Sequence, residues 1–188
     1  EEYYKIFKEA FFEVIGEGGT LIIPTFSYSF CKKEKFSIKE TKGLPGIMSE
    51  MALLDEEGIR SNDPNFSIVA IGKNAKYFTK NPPPHSFGKN CFWERFLEKN
   101  GIFCNLNFDS GSTFIHYIEK ILEVPYRYDK EFYGIKEIEG KEIYSNSFHF
   151  VYDLNIPEHS PNFTKMDKKV KEKNICNIYN LGKGSVLL

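Results

Sequence analysis

The chain has 188 residues and a formal net charge of −1. That is enough for one buried core, and too balanced to favour a nucleic acid or a membrane surface as the main partner. Its four cysteines, at 31, 91, 104 and 176, form no C-x-x-C pair, so they read as reduced thiols of a cytoplasmic protein and not as zinc ligands. No apolar run reaches the length of a membrane span and no signal peptide is visible.

Taken in order, residues 1–15 predict an amphipathic helix with Tyr3, Phe7, Ala10, Phe11 and Val14 on its apolar stripe. Gly16, Gly18 and Gly19 end it. Thr20–Ile23 is a short apolar run expected of a buried strand, stopped by Pro24. Thr25, Phe26 and Ser27 follow in a hydroxyl-rich loop, where ordinary turn chemistry is the simplest reading. Residues 30–45 are polar and lysine-rich, as an exposed excursion would be. A helical pattern occupies 47–54, a structured loop 60–67, a buried strand 68–72 and a short helix 74–78. The turn-rich 82–88 segment precedes a helix near 92–97, and 101–106 reads as a strand leading into a Ser/Gly loop.

Asp109-Ser110-Gly111-Ser112-Thr113 then enters a helix in which His116 and Glu119 lie three residues apart. Ser112 or Thr113 can cap it, and Phe114, Ile115, Ile118, Ile121 and Leu122 form an apolar stripe. The positive helix end disfavours a protonated imidazole and Glu119 favours one, so His116 can act as a general base. On spacing alone, an ordinary His–Glu pair on a solvated helix face is the commoner arrangement. A metal half-site finds no second ligand pair, and Ser61, Ser67 and Ser86 lie in no G-x-S-x-G elbow. His85 and His159 read as exposed turn histidines, and His149 lies in an alternating strand. Residues 135–150 alternate as a hairpin with Glu139-Gly140 at its turn, 163–173 form a charged helix or loop, and 176–188 make two short strands around Gly182. The grammar is that of a mixed α/β domain.

Several segments in the same order resemble the aminoglycoside 3-N-acetyltransferase family. Gly19–Ser27 looks like its G-T-L-hydrophobic-hydrophobic-P-T-[FY]-[ST] strand and loop, and Gly46–Glu50 its G-x-[LM]-S-E segment. Arg60–Ser67 with Ala70, Gly72 and Ala75 is similar to R-S-x-H-P-x-x-S-x-x-A-x-G-x-x-A, with Asp63 where the family usually has His. His85–Gly88 loosely matches an S-x-x-G turn. Thr113–Glu119 resembles T-x-[LF]-H-x-x-E, and Gly182–Leu188 the closing strand.

The resemblance implies a layered α/β/α domain with a central mixed sheet and an antiparallel hairpin. It implies one acetyltransferase-like domain over 1–188, lacking its N-terminal strand and pantetheine-contacting loop. The activity implied is direct acetyl transfer from acetyl-CoA to an amine, with no metal. His116 would be the base, with Glu119, Asp109 and Thr113 as catalytic companions. Thr25, Phe26, Ser27, Ser67 and Ser86 would contact the cofactor, and Glu50 and Asp63 the substrate. The partner is a small-molecule amine, an amino sugar or an aminoglycoside, in a chain that could also self-associate. Acidic residues lie beside lysines and do not converge, which leans toward an amino sugar. A degenerate, non-catalytic binding module of the same fold is the alternative.

Overall fold

The computed structural model describes residues 2–106, 111–159, 162–182 and 184–188. The chain divides into two compact units, Glu1–Arg95 with Asp129–His149 and Phe96–Tyr128 with Phe150–Leu188. Among the described residues no helix is long and apolar enough to cross a membrane.

In the first unit, α1 (Glu2–Ile15) leads into β1 (Thr20–Pro24), followed by β2 (Phe36–Ser37), α2 (Ile47–Leu53), β3 (Ile59–Arg60), β4 (Ile68–Gly72), α3 (Ala75–Thr79) and α4 (Phe92–Glu98). β4 is the centre of an antiparallel sheet ordered β1-β4-β3, with Thr20 opposite Gly72 and Pro24 opposite Ile68. That order puts Pro24 on an edge strand, where its missing N–H breaks no ladder. Four of the five β4 residues are buried, as a central strand requires. Gly72 ends it at φ 108°, where a Cβ would lie 2.6 Å from the Gly19 carbonyl oxygen.

α1 docks differently from the expected stripe. Tyr3 and Val14 are exposed, whereas Tyr4 is buried and Phe7, Phe11, Phe12 and Ile15 pack on the core of Leu21, Ile23, Ala52, Val69 and Ile71. Apolar residues nearly surround this helix, and the Tyr4 hydroxyl decides its rotation by donating to Asp55 at 2.9 Å. Lys8 reaches the same carboxylate at 2.8 Å.

The excursion at 30–45 is also not an exposed loop. Phe30 and Phe36 are fully buried, and Gly134 leaves room for the Phe30 ring, which a Cβ there would meet at 2.5 Å. The lysines of this stretch lie on its outer side and hide the two anchoring rings from a pattern reading.

The next elements are β5 (Asn105–Leu106), α5 (Phe114–Ile121), β6 (Arg127–Ile138), β7 (Lys141–Tyr152), α6 (Phe163–Glu172), β8 (Ile178–Leu181) and β9 (Gly184–Leu187). β6 and β7 form the expected hairpin, and β2 adds to it in parallel, giving the order β2-β6-β7. The boundary between the units falls within the hairpin strands. In the second unit β5, β9 and β8 form a further three-stranded sheet. The strands thus distribute over three small sheets, and the run 101–106 is a strand only at its last two residues. A Phe96, Phe103, Phe114 and Tyr117 ring cluster, with successive centroids 4.7, 5.3 and 5.8 Å apart, packs α5 within this unit.

Candidate active site

α5 starts where Ser112 Oγ accepts from the Phe114 N–H at 3.2 Å, satisfying a first-turn donor. Thr113 occupies the cap position without a side-chain bond. Tyr117 is the buried residue of the helix, while Ile121 and Leu122 of the expected stripe are exposed.

His116 and Glu119 meet as their spacing demands. His116 Nδ1 lies 2.8 Å from Glu119 Oε2, and the two side chains keep only 15% and 13% of their exposure. That degree of burial excludes the solvated helix face. Glu119 has further partners: Arg127 Nε is 2.7 Å from the same oxygen, and the Tyr126 hydroxyl donates to Oε1 at 3.0 Å. Burial pushes the Glu119 carboxyl up. The hydrogen bond from His116, the Arg127 guanidinium and the Tyr126 hydroxyl outweigh it and hold the group below its ordinary value. An ionised carboxylate only accepts, so the proton of the pair sits on Nδ1 and the imidazole's acceptor lone pair is on Nε2.

Tyr126 and Arg127 were not singled out in the sequence. They arrive because α5 ends in a Schellman turn. Glu123 takes φ 50°, the Val124 N–H bonds the Glu119 carbonyl at 3.2 Å, and the Glu123 N–H bonds that of Lys120 at 3.1 Å. Pro125 then forbids further helix and the chain doubles back onto Glu119. A C-terminal helix stop followed by Pro and an arginine was the available signal.

A cleft of about 570 Å³ opens beside the pair, lined by Ile115, Glu119 and Tyr126 on one side and by Glu158, His159 and Phe163 on the other. His159 is not an exposed turn histidine. It lines this cleft 6.0 Å from the Tyr126 ring, its Nδ1 is buried, and no described residue gives that atom a hydrogen bond.

A scan against family models matches residues 4–188 to the model described as aminoglycoside 3-N-acetyltransferase. The chain belongs to that family. As a member of it, the chain is an acyltransferase with a mixed α/β fold. No curated protein matches it by sequence. Among solved structures it is similar to aminoglycoside acetyltransferase AAC(3)-Xa, with TM-score 0.82 and 17% identity over 98% of this chain and 74% of that one. It is likewise similar to AAC-IIIb in its binary complex with CoASH, at TM-score 0.79 and 17% identity over 98% and 78%. The YokD protein from Bacillus subtilis follows at 0.77 and 16%, over 98% and 79%. At such identities the likeness speaks to the fold.

The remaining residues that the family resemblance pointed to lie elsewhere in the chain. Asp109 is outside the described residues. In the first unit, Thr25 Oγ1 and Ser67 Oγ are paired at 3.1 Å, and Arg60 donates to Ser67 Oγ and to the Thr25 carbonyl. Ser27 Oγ donates to the Pro64 carbonyl and Ser29 Oγ to Ser27. Ser86 donates to Asp63, whose other oxygen accepts the Asn65 and Phe66 N–H groups. All of these hydroxyls are buried and spent within the unit, so they tie loops together. Phe26 packs in a ring cluster with Phe66 and Trp93, and Glu50 is exposed on α2.

The other two histidines pack on rings. His85 stacks on Phe148 with centroids 4.2 Å apart, again contrary to an exposed turn. His149 lies among Tyr28, Phe66 and Phe87, with Nδ1 3.7 Å from Cys31 Sγ. Burial, then the charge of Asp63, push that thiol up to about 11. It is a poor nucleophile near neutral pH. Among the described residues no group of three His, Cys, Asp or Glu side chains is arranged to hold a metal.

Proposed function

We propose that this chain is an acetyl-CoA-dependent N-acetyltransferase of an amino sugar or aminoglycoside, with His116 as general base and Glu119 as its orienting carboxylate. The observation that carries the reading is the 2.8 Å bond from His116 Nδ1 to a Glu119 whose carboxyl is held ionised. That arrangement fixes the tautomer a base needs. In the step proposed, the substrate ammonium gives up one proton to solvent, and Nε2 takes a second from the resulting amine as it attacks. The nitrogen forms a bond to the thioester carbonyl carbon, the C–S bond breaks, and the departing CoA thiolate recovers the proton from the imidazolium. The tetrahedral oxyanion needs a donor, for which the Thr113 hydroxyl is the candidate. No covalent enzyme intermediate is needed, in keeping with a Cys31 thiol that burial keeps protonated.

The substrate class follows from charge. Glu119 and Glu158 both line the cleft beside the pair, which favours a cationic amine over a neutral or anionic acceptor. The AAC-IIIb relative was solved with CoASH and AAC-VIa with sisomicin, and both ligand classes suit this reading. The test is acetyl-CoA consumption with a panel of amino sugars, nucleotide-linked amino sugars and aminoglycosides, with the product analysed by mass. The expected product is an amide that survives mild base. An acetyl group released by mild base would be an ester and would overturn the assignment of the nucleophile.

A further inference from the structure

We propose that Arg127 is a positioning residue for the reaction: its guanidinium pins the Glu119 carboxylate from behind, and Glu119 in turn holds His116. The proposal rests on the reading of His116 as the base. The geometry has three parts. Arg127 Nε lies 2.7 Å from Glu119 Oε2, the oxygen that also meets His116 Nδ1 at 2.8 Å. The arginine is itself fixed, with 3% side-chain exposure, one nitrogen donating to the Phe150 carbonyl at 3.0 Å and its guanidinium 5.3 Å from the Tyr152 ring centre. Tyr126, its neighbour, holds the second carboxylate oxygen at 3.0 Å.

A glutamate side chain has three rotatable bonds and costs rotamer entropy to immobilise. A single bond from His116 does not fix it. Tyr126 donates to the other oxygen, and Arg127, whose Nε meets Oε2 as an ion pair without hydrogen-bond alignment, anchors the charge, so the carboxylate is held before substrate arrives and the base is preorganised. Charge matters as well as geometry. A cation 2.7 Å from Glu119 Oε2 favours the ionised form of the carboxylate that holds His116. Among the described residues, Glu158 and His159 are the other titratable groups besides Tyr126 that line the cleft with Glu119. Lys120, next on α5, instead lies over the Phe150 ring with 4.8 Å from its nitrogen to the ring centre.

Three variants of the chain, assayed for acetyl transfer across pH, test this. Arg127→Gln keeps an N–H donor for the Phe150 carbonyl and removes the charge. It should lower kcat by roughly tenfold or more, the order seen when a group holding a functional histidine from behind is lost. It should also move the acidic limb of the pH–rate profile upward by about one pH unit, the scale of a lost neighbouring charge. Arg127→Lys should return the limb to its wild-type position. In the Glu119→Gln background, Arg127→Gln should cost almost nothing more, because its effect runs through Glu119. This double variant removes both buried charges, so it reads out even where Arg127→Gln alone fails to fold.

An unmoved limb in folded Arg127→Gln, or a further tenfold loss in the Glu119→Gln background, would mean a structural strut and overturn the proposal. His116→Ala serves as the separate control. Normal turnover there sinks the base itself, whatever Arg127 does.

Discussion

A single carboxylate gathers most of the polar contacts of the candidate site, and its environment sets its behaviour with pH. Glu119 is desolvated, yet His116, Arg127 and Tyr126 together hold its carboxyl below the ordinary 4.5. The stability this confers is present in full above the unfolded value and is lost as pH falls through the folded one. Denaturant midpoints measured from pH 7 down to pH 3 should therefore fall more for the wild-type chain than for Glu119→Gln, with the gap between them narrowing below about pH 4.5. Parallel curves for the two proteins would show that the carboxylate is not held as described. The His–Glu contact was legible because three residues on a helix are neighbours by geometry alone. The Arg127 contact was not, since it depends on how the chain turns after Glu123. The partners of Thr25, Ser27 and Ser67 were not legible for a different reason. A hydroxyl-rich loop looks the same in sequence whether its oxygens face a ligand or each other, and here they serve Arg60, Pro64 and one another.

At the level of elements, local turn chemistry was the most readable part of the sequence. The hairpin turn fell at Glu139-Gly140 as expected, with φ of 51° and 75°. Two successive positive φ values make a type I′ turn, which Asn-Gly satisfies far better than Glu-Gly. Glu139→Asn should raise the stability of the chain by roughly 0.5–1 kcal/mol, seen as a higher melting temperature with unchanged turnover. A lower melting temperature would mean that the Glu139 side chain makes a contact worth more than the backbone strain it imposes. Helix faces were less readable. α1 carries Tyr3, Tyr4, Ile6, Phe7, Phe11, Phe12, Val14 and Ile15, so its apolar arc is wide enough to be read one residue out. Only the distant Asp55 resolves which tyrosine goes inward. Buried phenylalanines at 30 and 36 were likewise masked by the lysines around them, because a pattern reading averages over a window that two rings do not dominate.

For the whole molecule, the ordered set of weak motifs foretold the family, and the match over residues 4–188 bears that out. No one of those motifs is specific, but their order along one chain constrains the fold far more than any single spacing does. The way strands group into sheets was not legible, since β2, β5 and β3 are two-residue pairings that only tertiary contacts create. What the molecule does reduces to whether the α5 histidine moves the proton. The direct measurement is steady-state acetyl transfer by folded His116→Ala, with CoA affinity measured on the same sample. A positioned base typically contributes about a hundred- to ten-thousand-fold. The account predicts a loss of kcat in that range with CoA affinity nearly unchanged, because the missing interaction belongs to the transition state. A folded His116→Ala protein that acetylates its amine at close to the wild-type rate would contradict it.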